Sequence, residues 1–265
     1  MRRCRILPLL LVAVFLLSAC SVLDTPETVY PTYVTENETT AATTEATIPA
    51  DTKPLHSMLY LEGYTTGQIT EYFNEVVLSM EYTDGTGDAT LVQKWLSPIF
   101  YSVYGDPTEE DLDVLYALFD RLNAIPGFPG IYAADDQNAE NLSLNFYSAQ
   151  QFRDEFSSVV NGEDAYGATQ FWYYTETNEL YTARIGYRTD ISQTERNSIL
   201  LEEIINTLGF SDSVLREDSI VYQYSNENLE LSDVDWVILA LLYDPAIQAG
   251  MNADNCAQII EQLYY

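Results

Sequence analysis

Glu202, Glu203 and Asn206 fall within five consecutive residues, and Asp212 comes six positions later. In a helix, Glu202 and Asn206 are four apart and lie on one face, with Glu203 beside them. Two side chains at that spacing can hold one ion, and a neighbouring carboxylate can act as general base toward a water on that ion. Gly209 offers a turn after the helix, and Asp212, another carboxylate, follows three residues on. The donor types limit the chemistry. Catalytic zinc sites draw three ligands from His, Cys, Asp or Glu and keep one position open for water. Asn206 has only a neutral amide oxygen, and the single histidine, His56, precedes the globular part of the chain. No cofactor is therefore expected. Oxygen donors suit calcium or magnesium better than zinc, and whether this acidic cleft binds calcium stays open at this point.

Other reaction types find little support. Without a histidine in the domain, Ser/His/Asp and Cys/His nucleophile arrangements are excluded. The chain has neither a glycine-rich phosphate loop nor a C-x-x-C pair. Paired carboxylates for glycoside hydrolysis cannot be picked out by spacing among 41 acidic residues. Phe171-Trp172-Tyr173-Tyr174 could stack on sugar rings, which makes carbohydrate binding an alternative function.

Several elements must position these residues. Ile69-Thr70-Glu71-Tyr72-Phe73-Asn74-Glu75-Val76-Val77 has helical apolar spacing, broken at Asp84-Gly85-Thr86-Gly87. Leu91 to Tyr104 reads as a strand made irregular by Pro98. Thr108-Glu109-Glu110-Asp111 opens a helix with Leu112, Leu115, Phe119 and Leu122 on one face. Leu142, Leu144 and Phe146 alternate as in a strand, and a short helix is expected near Gln150 to Phe156. Gln170 to Tyr174 and Leu180 to Arg188 form a hairpin around Thr177-Asn178. Ser192-Gln193-Thr194-Glu195 caps a long helix that Gly209 stops, with Leu201, Ile204, Ile205 and Leu208 as its buried stripe. Ser232 to Tyr243 and Ala253 to Leu263 complete the set. Helices and strands mix without regular βαβ alternation, which gives an α+β fold class. Residues 57–265 are expected to form one domain.

The first residues carry a different message. Arg2, Arg3 and Arg5 precede an apolar run from Ile6 to Leu17, and Leu17-Ser18-Ala19-Cys20 closes it. The run is too short to span a bilayer of about 30 Å, so residues 1–19 read as a removable signal peptide. Leu17-Ser18-Ala19-Cys20 resembles the bacterial lipobox, which implies lipidation of Cys20 and a protein anchored on the extracytoplasmic side of the cell membrane. Residues 20–56, rich in Thr, Glu, Pro and Ala, are expected to be a disordered tether behind that anchor. Losing residues 1–19 leaves 8 basic residues against 41 acidic ones, a formal charge of −33. Such a charge repels nucleic acid. With Cys4 removed and Cys20 lipidated, Cys256 is alone and no internal disulfide can form. The remaining partner is an unknown protein or glycan ligand at the cell surface.

Two resemblances add to these readings. Glu202, Glu203, Asn206, Gly209 and Asp212 keep the frame of the metzincin helix, in which two histidines four apart, a glutamate, a glycine and a third ligand build a zinc site. Ser219-Ile220-Val221-Tyr222, with Leu231-Ser232, Asp235, Leu239 and Leu242-Tyr243, resembles the methionine turn and succeeding helix of that family, with Val221 at the methionine position. Tyr181 to Arg188 would be the edge strand before the site helix. The resemblance implies a single zincin-like domain, a mixed sheet packed on long helices. It makes Glu203 a vestigial base position and Glu202, Asn206 and Asp212 vestigial ligand positions. Glu202 and Asn206 should face a cleft, with Ser219 to Tyr222 passing below it. Oxygen ligands at these positions leave a metal-dependent peptidase as an alternative to a non-catalytic binding protein. The chain is also similar to the bacterial domain-of-unknown-function family 2927. The residues that carry this are Ile69-Thr70-Glu71-Tyr72-Phe73, Ser79-Met80-Glu81-Tyr82, Lys94-Trp95-Leu96-Ser97-Pro98-Ile99, Glu202-Glu203, Leu208-Gly209, Leu242-Tyr243-Asp244-Pro245 and Gly250-Met251. That family implies a fold and a surface lipoprotein habit, and no reaction.

Overall fold

The computed structural model describes residues 59–78, 91–157 and 165–264. The expected signal peptide, Cys20, the expected tether and the expected break at Asp84-Gly85-Thr86-Gly87 lie outside the described residues. In chain order the elements are α1 (Thr66–Leu78), β1 (Lys94–Trp95), β2 (Ile99–Gly105), α2 (Glu109–Asn123), β3 (Ile131–Ala133), β4 (Leu142–Tyr147), α3 (Ala149–Glu155), β5 (Gly167–Tyr173), β6 (Glu179–Arg188), α4 (Gln193–Thr207), α5 (Asp233–Leu242) and α6 (Ala253–Leu263).

Strands and helices form one mixed α+β unit. β2 pairs in parallel with both β3 and β4, β4 pairs in parallel with β6, and β5 runs antiparallel to β6. The short β1 pairs in parallel with the start of β6, Lys94 opposite Glu179 and Trp95 opposite Leu180. One expectation needs correcting. Tyr181 to Arg188 is not an edge strand: β6 has partners on both sides, and the edge beside it is β5. The burial pattern explains why. Leu180, Ala183, Ile185 and Tyr187 are all buried, which suits an interior strand better than an edge. Leu91 to Tyr104 is likewise two strands, since Leu96-Ser97-Pro98 breaks the run between β1 and β2. The hairpin turns where expected, with Asn178 at φ 57° in the left-handed region that asparagine tolerates.

The helix ends obey their local chemistry. Thr108, Ser148, Ser192 and Ser232 each cap a helix, their side chains accepting from the third helical N–H while the residue there bonds back. α5 is buried almost all round, through Val234 and Val237 to Leu242, so it runs through the core rather than over it. α1 packs against both α5 and α6, while α4 lies on β5 and β6. Cys256 is a free, buried thiol on α6. Among the described residues no helix is long and apolar enough to cross a membrane.

Candidate functional site

The four residues singled out from sequence come together at the end of α4. Glu203 faces β5: Gly167 has no side chain there because a Cβ would come within 2.6 Å of Glu203 Oε1 and 2.4 Å of Ile199. Thr169 on the same strand donates its hydroxyl to the Glu203 carbonyl at 3.1 Å. Asn206 Nδ2 donates to Asp212 Oδ1 at 3.4 Å. Glu202 and Asp212 are half-buried, whereas Glu203 and Asn206 are only 5% and 3% exposed. The expected open cleft is therefore absent at Asn206. The reason is local: α4 ends against the core, where Thr207 and Leu208 are fully buried.

Among the described residues, two buried acceptors in this group have no hydrogen-bond partner, Glu203 Oε2 and Asn206 Oδ1. Burial, then the nearby Asp212 and Glu203 carboxyls, hold Glu202 well above the usual carboxylate range. Burial also pushes Glu203 up to about 8, with a Thr169 hydrogen bond opposing and Asp212 reinforcing it. The three acids therefore act on one another, and α4 carries no basic residue in its last turn to relieve them. Among the described residues no three Asp, Glu, His or Cys side chains converge as a ready-made metal cage.

The chain on either side of Asp212 is held by backbone bonds. Gly209, at φ 107°, turns the chain where a Cβ would sit 2.2 Å from the Gln93 carbonyl oxygen. Ser211 N–H donates to Val76 O at 2.6 Å, and Ser213 N–H to Val221 O at 2.7 Å. Glu75 on α1 accepts the Val214 N–H at 2.7 Å and the Leu215 N–H at 3.0 Å. The Ser219–Tyr222 turn is thus bonded to the residue after Asp212, on the same side of the domain as the acids. Asp235 holds that turn from α5. Its Oδ1 accepts from the Tyr72 hydroxyl at 2.9 Å and the Ser219 hydroxyl at 2.8 Å. Its Oδ2 accepts from Ile220 N–H at 3.1 Å and Ser232 N–H at 3.0 Å.

Sequence reasoning missed how the end of α4 is held. Trp95 Nε1 donates to the Thr207 carbonyl at 2.7 Å, and the Tyr243 hydroxyl to the Leu208 carbonyl at 3.0 Å. These satisfy two carbonyls that a helix terminus leaves open. Lys94, buried beside Trp95, donates to the Leu242 carbonyl at 2.9 Å and also to that of Ile247. Burial lowers Lys94 to about 8, against the pull of Asp244. In the sequence Lys94-Trp95 and Tyr243 stand out only as carriers of a resemblance, because side chains that cap a helix from far away leave no local signal. At the other end of α4, Arg196 Nε donates to Asp111 Oδ1 at 2.8 Å, with both side chains buried. Burial alone would raise Asp111, but the hydrogen bonds and charge of Arg196, with Thr108 and Gln193, hold it below the usual range.

Of the aromatic run, Phe171 and Tyr173 pack on the core, whereas Tyr174 stacks on Tyr181 at 4.4 Å with both rings exposed. A cavity of about 400 Å³ lies apart from the acids, between Lys94, Gly127, Thr177 and Tyr243.

A family profile described as a protein of unknown function, DUF2927, matches residues 66–262. No curated protein matches the chain.

Proposed function

Because the chain belongs to the DUF2927 family, whose description carries no reaction, we propose its function from its own residues: a lipid-anchored bacterial surface protein with a zincin-like frame, whose decayed site binds without hydrolysing. An antiparallel edge strand packed on α4 supports the frame, although that strand is β5 and not the β6 that the resemblance would place there. So does the fastening of the Ser219–Tyr222 turn beside Asp212. The observation that carries the non-catalytic reading is the donor set. Glu202 and Asn206 occupy the two positions that would present imidazoles, and residues 57–265 contain no histidine. Zinc does not fit such a set, and without a metal-bound water Glu203 has nothing activated to deprotonate.

Purified wild type is expected to carry no stoichiometric zinc and to show no peptide hydrolysis that a chelator blocks. The double substitution Glu202→His and Asn206→His, with Asp212 as third ligand, should raise zinc affinity at least ~10-fold, since imidazole replaces a poor amide ligand. Chelator-sensitive cleavage by wild type, lost in Glu203→Gln, would overturn the reading.

The anchor rests on Leu17-Ser18-Ala19-Cys20. Cys20→Ala should leave the protein unprocessed or shift it out of the membrane fraction, because the acyl chains supply about 0.8 kcal/mol per buried CH₂. Fractionation and migration identical to wild type would exclude lipidation. A second reading, glycan binding, is favoured by one observation, the exposed Tyr174–Tyr181 stack at the end of the β5–β6 hairpin.

A further inference from the structure

The cavity of about 400 Å³ beside β1 is lined by none of the α4 acids, and backbone contacts fix its walls. Val92 N–H donates to the Met251 carbonyl at 2.9 Å, and Gly250 N–H to the Val92 carbonyl at 2.8 Å. Those bonds tie the loop after α5 to the chain that enters β1 at Lys94. Gly127 brings a second turn so close that a Cβ there would sit 2.3 Å from the Tyr243 carbonyl oxygen. Thr177, at the turn of the β5–β6 hairpin, adds a hydroxyl to the rim. Trp95, Pro129, Tyr243, Pro245 and Ile247 supply mostly apolar walls. A preformed volume of this size, apolar with a few polar groups, has the form of a small-molecule site.

The charge of the lining runs against that of the chain. The sequence has 41 acidic residues and 11 basic ones, yet the described lining contains Lys94 and no aspartate or glutamate. Lys94 is only 4% exposed and, among the described residues, has no salt bridge. A buried charge without a counter-charge is costly. An ammonium has three N–H donors. Two go to the Leu242 and Ile247 carbonyls, and the third is left over. Asp244 acts on the amine through space, but it stands outside the lining, and its Oδ1 accepts the Ala246 N–H at 2.8 Å.

We propose that this cavity binds a small organic acid with a ring or other apolar body, its carboxylate accepting the third N–H of Lys94. The apolar walls cover the body of the ligand, and the Gln248 amide and Thr177 hydroxyl on the exposed rim offer further donors. A charge-assisted N⁺–H···O⁻ bond is about twice as strong as a neutral one, so a carboxylate is selected over an amide. A ligand amine would meet Lys94 as a like charge. The site is independent of how the α4 acids are read.

Benzoate, benzamide and benzylamine share a ring and differ in charge, and calorimetric titration of the purified full chain at constant ionic strength compares them. Benzoate is expected to bind saturably, once per chain, in the millimolar range. It should bind at least ~10-fold more tightly than benzamide, with no binding of benzylamine. Burial lowers Lys94 to about 8, so benzoate affinity should hold below that pH and decline as pH rises past it. Asp244, Tyr243 and Cys256 are the other titratable groups facing the amine. Burial holds Tyr243 and Cys256 up, Cys256 to about 11, so a decline above 8 reports Lys94. Lys94→Met, which keeps the length and removes the charge, should weaken benzoate at least ~10-fold. Gln248→Glu places a carboxylate on the exposed rim and should weaken benzoate about 3-fold without changing benzamide. That variant keeps the test sound should Lys94→Met fold poorly. Equal affinity for benzoate and benzamide, or no saturable benzoate binding in folded wild type, overturns the proposal.

Discussion

Asp235→Ala should unfold the domain, or come close to it, with an expected loss of at least ~4 kcal/mol. The carboxylate is fully buried and takes hydrogen bonds from the Tyr72 and Ser219 hydroxyls and the Ile220 and Ser232 N–H groups. Alanine leaves three of these donors without a partner in the interior, at roughly 1–3 kcal/mol each. It also removes the capping box of α5 and frees the Ser219–Tyr222 turn. Denaturant unfolding would measure the loss. Asp235→Asn, which keeps one oxygen acceptor, should lose distinctly less. A cost for Asp235→Ala below ~1 kcal/mol would mean that the turn is held by other contacts.

Asp111→Ala is the second large expected effect. It strands the Arg196 guanidinium in the interior, and breaking a buried pair by removing one partner costs about 3–5 kcal/mol. The pair also sets an acid limit. Asp111 in the folded protein lies below its ordinary value of 3.8, so its contribution is complete above that value and is lost as pH falls through the lower folded one. Stability measured between about pH 6 and pH 2 should therefore fall less steeply for Asp111→Asn than for wild type. Equal slopes would show that other carboxylates dominate acid unfolding. Replacing both partners with apolar residues should recover much of the alanine loss, because no charge is then left buried alone.

These two anchors mark the boundary of what a sequence reveals. Capping boxes are local, so Thr108 to Asp111, Ser192 to Glu195 and Ser232 to Asp235 announce helix starts that the structure keeps. The same aspartates have a second, long-range use that no spacing encodes: Asp111 reaches Arg196, and Asp235 reaches Tyr72. Alternation locates β4, but the edge position expected of β6 rests only on the metzincin resemblance, and nothing in its ten residues encodes how many neighbours the strand has. Helical spacing is enough to bring Glu202 to Asn206. The burial of Glu203 and Asn206 is not legible, since it depends on Gly167 letting β5 approach Glu203 and on the core closing over Thr207 beside Asn206. Glu75, which fastens the segment after Asp212, gives no sign at all among so many acids.

The dipeptide Lys94-Trp95 has a consequence for the order in which the domain assembles. Trp95 reaches a carbonyl 112 residues away, and Lys94 reaches one 153 residues away. Contacts closing loops that long form slowly, and a chain emerging from its N-terminus cannot make them until its last portion has arrived. The β2–β4 pairing can precede them, since its strands are close in sequence. The acid-bearing end of α4 is therefore completed last. A nascent or truncated chain ending before residue 242 lacks Tyr243 and the Lys94 acceptors, and would carry its sheet before it carried its site.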